Sequence, residues 1–67
     1  MSIKPAPGDQ IYDSKDNRFG NVFYDKRAKE CYVDWTTRRP DGGKWECTYA
    51  KDGVLQGERY SIVEYQE

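Results

Sequence analysis

The sequence predicts a small all-β domain of five short antiparallel strands, and three observations carry that prediction. No stretch keeps a helical repeat of apolar positions over several turns. Apolar and polar residues alternate instead. Clusters of Gly, Pro, Asn and Asp separate the alternating runs. The chain has 67 residues, ten of them aromatic. A domain this short buries only about 60% of the surface its unfolded chain exposes. Each large ring can bury roughly 150–250 Å², so a few rings can build a core that a short chain could not make from valines.

The strands fall at Asp9–Asp13, Gly20–Asp25, Glu30–Thr37, Lys44–Ala50 and Tyr60–Tyr65. Residues 1–7, with Pro5 and Pro7, read as an extended or frayed lead-in, and residues 8–67 as the single domain. A short turn at Arg27-Ala28 sets Val22 opposite Val33 and Tyr24 opposite Cys31. In the next hairpin, Arg39-Pro40-Asp41-Gly42 has Pro and Gly where a type I turn wants them. A loop over Arg38–Gly42 then sets Trp35 opposite Trp45, Val33 opposite Cys47 and Cys31 opposite Tyr49. Both hairpins put the same face toward the core, and a one-residue slip in either would invert a face. In the last strand either Ile62 or Val63 faces inward.

On the other face, Phe23 lies opposite Tyr32 and Asp34 opposite Glu46. The expected outer surface is therefore aromatic at one end and acidic at the other. Like charges set directly opposite on a sheet repel. A basic side chain of a partner, or Lys44, Arg38 or Arg18 of the chain itself, would neutralise them.

The segments Pro7-Gly8-Asp9-Gln10-Ile11, Gly20-Asn21-Val22 and Val33-Asp34-Trp35 resemble the opening strands of SH3-like barrels, among them Tudor, KOW-type and plasmid-type dihydrofolate reductase domains. The resemblance implies a single small five-stranded antiparallel SH3-like barrel from Pro7 to Tyr65. Tudor domains form an aromatic cage from two loops. Phe19 fits the first, and Arg38–Gly43 supplies no ring for the second. KOW-like domains bind RNA or RNA polymerase. The plasmid-type reductases carry a Val-Gln-Ile-Tyr motif, and the nearest segment here, Leu55-Gln56-Gly57-Glu58-Arg59-Tyr60, does not match it. Fold resemblance of this kind does not fix function.

The chain has no histidine, which removes the commonest general base and metal ligand. Cys31 and Cys47 both fall on the core side and read as buried thiols. Two thiols without an imidazole fall short of the four ligands a structural zinc takes. No catalytic residue, metal ligand or cofactor site is therefore expected. No apolar run approaches the roughly 20 residues of a membrane helix. The opening Met1-Ser2-Ile3-Lys4-Pro5 lacks the apolar stretch of an export signal. The expected chain is cytoplasmic, with no membrane partner.

Formal net charge is −1, but residues 14–51 carry nine bases and six acids, and residues 52–67 one base and four acids. Lys26, Arg27 and Lys29 gather on one loop, and Arg38, Arg39 and Lys44 on another. Successive hairpin loops lie at opposite ends of a sheet, so these need not form one groove. The expected function is a non-catalytic protein-interaction module, such as a small phage-type or bacterial accessory protein or inhibitor acting on a host or cellular protein. Its expected binding residues are Phe23, Tyr32, Asp34, Glu46, Arg38 and Arg39. A nucleic-acid-binding module of KOW or Tudor type is the second expectation. An oligomeric enzyme resembling the plasmid-type reductases is a remote third.

Overall fold

A computed structural model describes residues 2–64. The fold is all-β, built on a five-stranded antiparallel sheet. Among the described residues there are seven strands: β1 (Ser2–Ile3), β2 (Gln10–Asp13), β3 (Arg18–Asp25), β4 (Glu30–Trp35), β5 (Thr48–Tyr49), β6 (Leu55–Gln56) and β7 (Tyr60–Val63). The main sheet runs β5-β4-β3-β2-β7, and β1 pairs with β6 as a separate two-stranded ribbon. A single 3₁₀ turn at Lys51–Gly53 joins β5 to β6. The main sheet does not close on itself.

The first hairpin has the predicted register: Val22 pairs with Val33, Phe23 with Tyr32 and Tyr24 with Cys31. Its turn is set by Asp25, whose Oδ1 accepts the backbone N–H of Arg27 and of Ala28 at 2.9 and 3.1 Å. This local carboxylate cap is the kind of turn that Asp favours. Along β3 the inner residues Arg18, Gly20 and Val22 are buried, while Phe19, Asn21 and Phe23 are exposed. That is the period of two expected of a half-buried strand.

Ile11, Val22, Val33, Trp35, Ala50 and Leu55 form the buried core, with Ile3, Cys31, Trp45 and Tyr60 packed against it. Gly20 is required where it stands. It pairs with Trp35. A Cβ added there would lie 2.5 Å from Val33 Cγ1 and 2.9 Å from Trp35 Cε3. The missing side chain is what lets the indole lie across β3. Leu55 reaches the core from β6, which also pairs with the lead-in through β1.

The second hairpin departs from its predicted register by one residue. Tyr32 pairs with Tyr49 and Val33 with Thr48. The Arg39-Pro40-Asp41-Gly42 turn does form, with Gly42 N–H donating to Arg39 C=O at 2.8 Å. Beyond it, residues 44–47 lie outside any strand, so the pairing such a turn sets is lost before β5 begins. Trp35 consequently does not pair with Trp45. Its indole N–H donates instead to Thr48 Oγ1 at 2.9 Å. Cys47 becomes exposed, and Tyr49 moves to the outer face. Both cysteines are free, and Cys31 is only half-buried. Tyr24 keeps its predicted partner but is 51% exposed, because the hairpin tip extends past the residues that cover the core. In β7, Ile62 pairs with Ile11 and so shares its face, yet is 38% exposed at the edge of the sheet. The predicted strand end at Tyr65 lies outside the described residues.

Candidate functional site

The outer face is built by the first hairpin and extended by the edge strand. Phe23 and Tyr32, directly opposite one another on β3 and β4, have ring centroids 5.8 Å apart. Tyr49 on β5 continues the row, 5.4 Å from Tyr32. Three rings thus lie side by side across three strands, with Phe23 45% and Tyr49 46% exposed. Tyr49 anchors the edge of this row: its hydroxyl donates to Asp25 Oδ2 at 3.0 Å. The bond acts on both partners. Backbone donation from Ala28, then the Tyr49 hydroxyl, lowers the Asp25 carboxyl below its ordinary pKa. The same carboxylate raises the Tyr49 phenol above its own.

A second pair of rings lies farther along the same face. Tyr12 and Phe19, cross-strand partners on β2 and β3, sit 4.8 Å apart. Phe19 therefore belongs to a strand rather than to a cage-forming loop. Between the two aromatic groups run Asn21 and Asp34, paired across β3 and β4.

Asp34 and Glu46 do not face each other. The shift of register and the irregular 44–47 segment separate them from the predicted pairing, and Asp34 lies 3.5 Å from Lys44 Nζ. The Cys47 thiol is also in weak contact with Asp34, at 3.9 Å. Glu46 is exposed on the loop. Arg39 is held by Asp41 at 2.9 Å, and Arg38 is exposed beside a shallow groove with Lys44 and Thr37. Of the six predicted residues, the structure brings Phe23 and Tyr32 together and leaves the other four on or beside the 36–47 connection.

The inner end of the molecule holds a charged cluster that the sequence analysis did not find. Asp13, fully buried, accepts from Arg18 Nε at 2.9 Å, from Arg59 Nε at 2.8 Å and from the Lys15 backbone at 3.0 Å. Asp16 takes a second contact from Arg59, at 2.9 Å. The Arg18 guanidinium carbon lies 3.9 Å from the Trp35 ring centroid and 4.5 Å from that of Trp45. Burial alone would raise the Asp13 carboxyl, but donation from Arg59, Arg18 and the Lys15 backbone outweighs it and leaves the pKa lowered. The signal was present in the parity of the strands. Asp13 shares the face of Ile11 and Arg18 that of Val22, and a charge facing a core must be paired. This cluster consumes its own charges and has the character of a structural lock.

Among the described residues no group of three or more His, Cys, Asp or Glu is placed to hold a metal ion. Among them, too, no helix is long and apolar enough to cross a membrane. Comparison with protein-family models, with curated proteins and with solved structures finds no match to this chain.

Proposed function

We propose that this chain is a non-catalytic protein-interaction module whose docking surface is the outer face of β3, β4 and β5. The observation that carries the reading is the Phe23–Tyr32–Tyr49 row. Rings contiguous across three strands, Phe23 and Tyr49 exposed and Tyr32 half-buried between them, with a polar margin of Asn21, Asp34 and Asp25, match the anatomy of a protein interface. The inner face packs the buried core, and Phe23 and Tyr49 are left partly open to solvent on the other side. The architecture that presents them is read as an SH3-like barrel. In support, four strands follow one another as a meander, a 3₁₀ turn follows, and the last strand returns beside β2.

Affinity capture from the native cell with wild type and with Phe23→Ala/Tyr49→Ala tests the reading. A partner retained by wild type and lost by the variant supports it. Equal recovery of every partner by both proteins removes this face from consideration. Nucleic-acid binding is the second reading, favoured by Lys26, Arg27 and Lys29 beside the rings. It requires measurable RNA or DNA affinity at about 50 mM salt that falls steeply as salt rises.

A further inference from the structure

The aromatic row ends in a loop of cations. Residues 26–29 join β3 to β4, and Lys26, Arg27 and Lys29 are all exposed. Among the described residues no carboxylate forms an ion pair with any of the three. Two acids flank the loop: Asp25 is committed to the Arg27 and Ala28 backbone and to the Tyr49 hydroxyl, and Glu30, its half-buried partner across the ladder, forms no ion pair with the three cations. The Asp25 caps also hold the loop in one shape, so the cations are presented by a formed turn. An open groove of about 470 Å³ runs from this loop to the rings, its lining including Tyr24, Asp25, Lys26, Arg27, Tyr32 and Tyr49.

We propose that this groove receives an acidic segment of a partner protein, its carboxylates over Lys26 and Arg27, with Lys29 adding charge from the same loop, and an apolar or aromatic side chain against Tyr32 and Tyr49. The inference rests on the reading of the outer face as a docking surface and adds the charge and orientation of what docks there. Charge complementarity selects the partner. Three cations without an ion-pair partner among the described residues share one loop at this end of the row, whereas the opposite end mixes signs: Asn21 and Asp34, with Lys44 on Asp34, Arg39 on Asp41 and Arg38 exposed beside them. A single-stranded nucleic acid carries charge along its whole length and is bound by a basic track with stacking rings inside it. Here such a strand would leave the loop cations and cross Asn21 and Asp34 before it reached Arg38. A protein segment that is acidic at one end and apolar at the other matches the polarity of the groove.

The test uses two fluorescein-labelled peptides with a common Phe-Leu end, one led by Asp-Glu-Glu and the other by Lys-Lys-Lys, and a thymidine oligomer. Fluorescence anisotropy is read with wild type, with Lys26→Glu/Arg27→Glu/Lys29→Glu, and with Phe23→Ala/Tyr49→Ala. The expected result is that wild type prefers the acidic peptide by roughly tenfold or more, a preference that shrinks with salt. The charge-reversed variant should invert that preference, and the ring variant should weaken the acidic peptide without inverting it. No preference between the peptides, no binding of the acidic one, or tighter binding of the oligomer overturns the inference. If charge reversal changes nothing while Phe23→Ala/Tyr49→Ala still loses its partner in the capture experiment, the docking face stands and the acidic partner falls. If the capture experiment is also unaffected, both fall.

Discussion

Arg59 holds Asp13 with two nitrogens of one guanidinium, Nε donating to Oδ1 at 2.8 Å and Nη2 donating to Oδ2. The two residues stand at facing ends of β7 and β2, where Ser14 N–H also donates to Arg59 C=O at 2.8 Å. The contact fastens the last strand of the sheet to the first strand of the meander. Two-pronged pairing of Arg with a carboxylate fixes geometry as well as charge.

Removing the carboxylate should be costly, because Arg18 is buried and would lose its counter-ion. Breaking a buried pair from one side typically costs about 3–5 kcal/mol. Asp16 lies 3.6 Å from Arg18 Nη2 and can take up part of the charge, which places Asp13→Ala at the lower end of that range. Arg59, whose side chain is 27% exposed, should cost less when replaced by Gln. Urea unfolding of the two variants checks the order. Equal losses would mean that the buried Arg18 is not the source of the penalty.

Two carboxyls, one in this cluster and one at the β3–β4 turn, predict the response to acid. Asp13 and Asp25 both have pKa values below their ordinary ones in the folded chain. A depressed carboxylate contributes stability above its unfolded pKa and loses it as pH falls through the folded value. The urea midpoint should therefore hold steady from neutral pH down to about 5 and fall below about 4. Asp13→Asn should start less stable and lose less on acidification. Parallel acid curves for wild type and Asp13→Asn would show that Asp13 does not carry the effect.

The two tryptophans should behave differently. Trp35 is 2% exposed and spends its indole N–H on Thr48. Trp35→Ala should cost roughly 3–5 kcal/mol, and Trp35→Phe should also be destabilising through the lost hydrogen bond. Trp45 is half-buried, and its Nε1 is buried with no hydrogen-bond partner among the described residues. Trp45→Phe keeps a ring against Arg18 and removes an unsatisfied donor, which costs about 1–3 kcal/mol where it stands. Trp45→Phe should then be neutral or slightly stabilising by thermal unfolding. A loss equal to that of Trp35→Phe would mean that the indole N–H of Trp45 finds a partner in solution.

What the sequence made legible divides at Trp35. Before it, the Asp25 turn is local and short, so alternation along β3 and β4 carried the register of Val22 with Val33 without error. After it, the Arg39–Gly42 turn forms, but residues 44–47 leave the ladder, and turn chemistry cannot fix a pairing across a segment that is not a strand. A one-residue shift was enough to move Tyr49 from the core to the outer row and Cys47 to solvent. It also dissolved the supposed acidic pair of Asp34 and Glu46. The Phe23–Tyr32 half of the candidate site was visible because it lies within the well-determined hairpin, whereas Tyr49 depended on the poorly determined one. Asp13 and Arg59 are far apart in the chain, and no spacing rule joins them. Only the parity that turns Asp13 and Arg18 inward pointed to that cluster.

The bond between Tyr49 and Asp25 sets a last expectation, which tests whether the groove is formed before anything binds. The Asp25 carboxylate accepts the Tyr49 hydroxyl and so favours the protonated phenol, raising its pKa above the usual 10. A raised folded pKa means that the contact stabilises the fold below the unfolded value and stops doing so as pH climbs through the folded one. Ultraviolet titration of wild type minus Tyr49→Phe isolates this one phenol among the tyrosines. It should ionise above its ordinary range, and Asp25→Asn should bring it back toward that range by removing the negative charge beside it. Tyr49→Phe keeps the ring but frees the edge strand from the hairpin loop. It should therefore bind the acidic peptide less tightly than wild type and more tightly than Phe23→Ala/Tyr49→Ala. An ordinary pKa for Tyr49, unchanged in Asp25→Asn, would show that β5 is not tied to the β3–β4 loop in solution, and the groove between them would then have to form as the partner arrives.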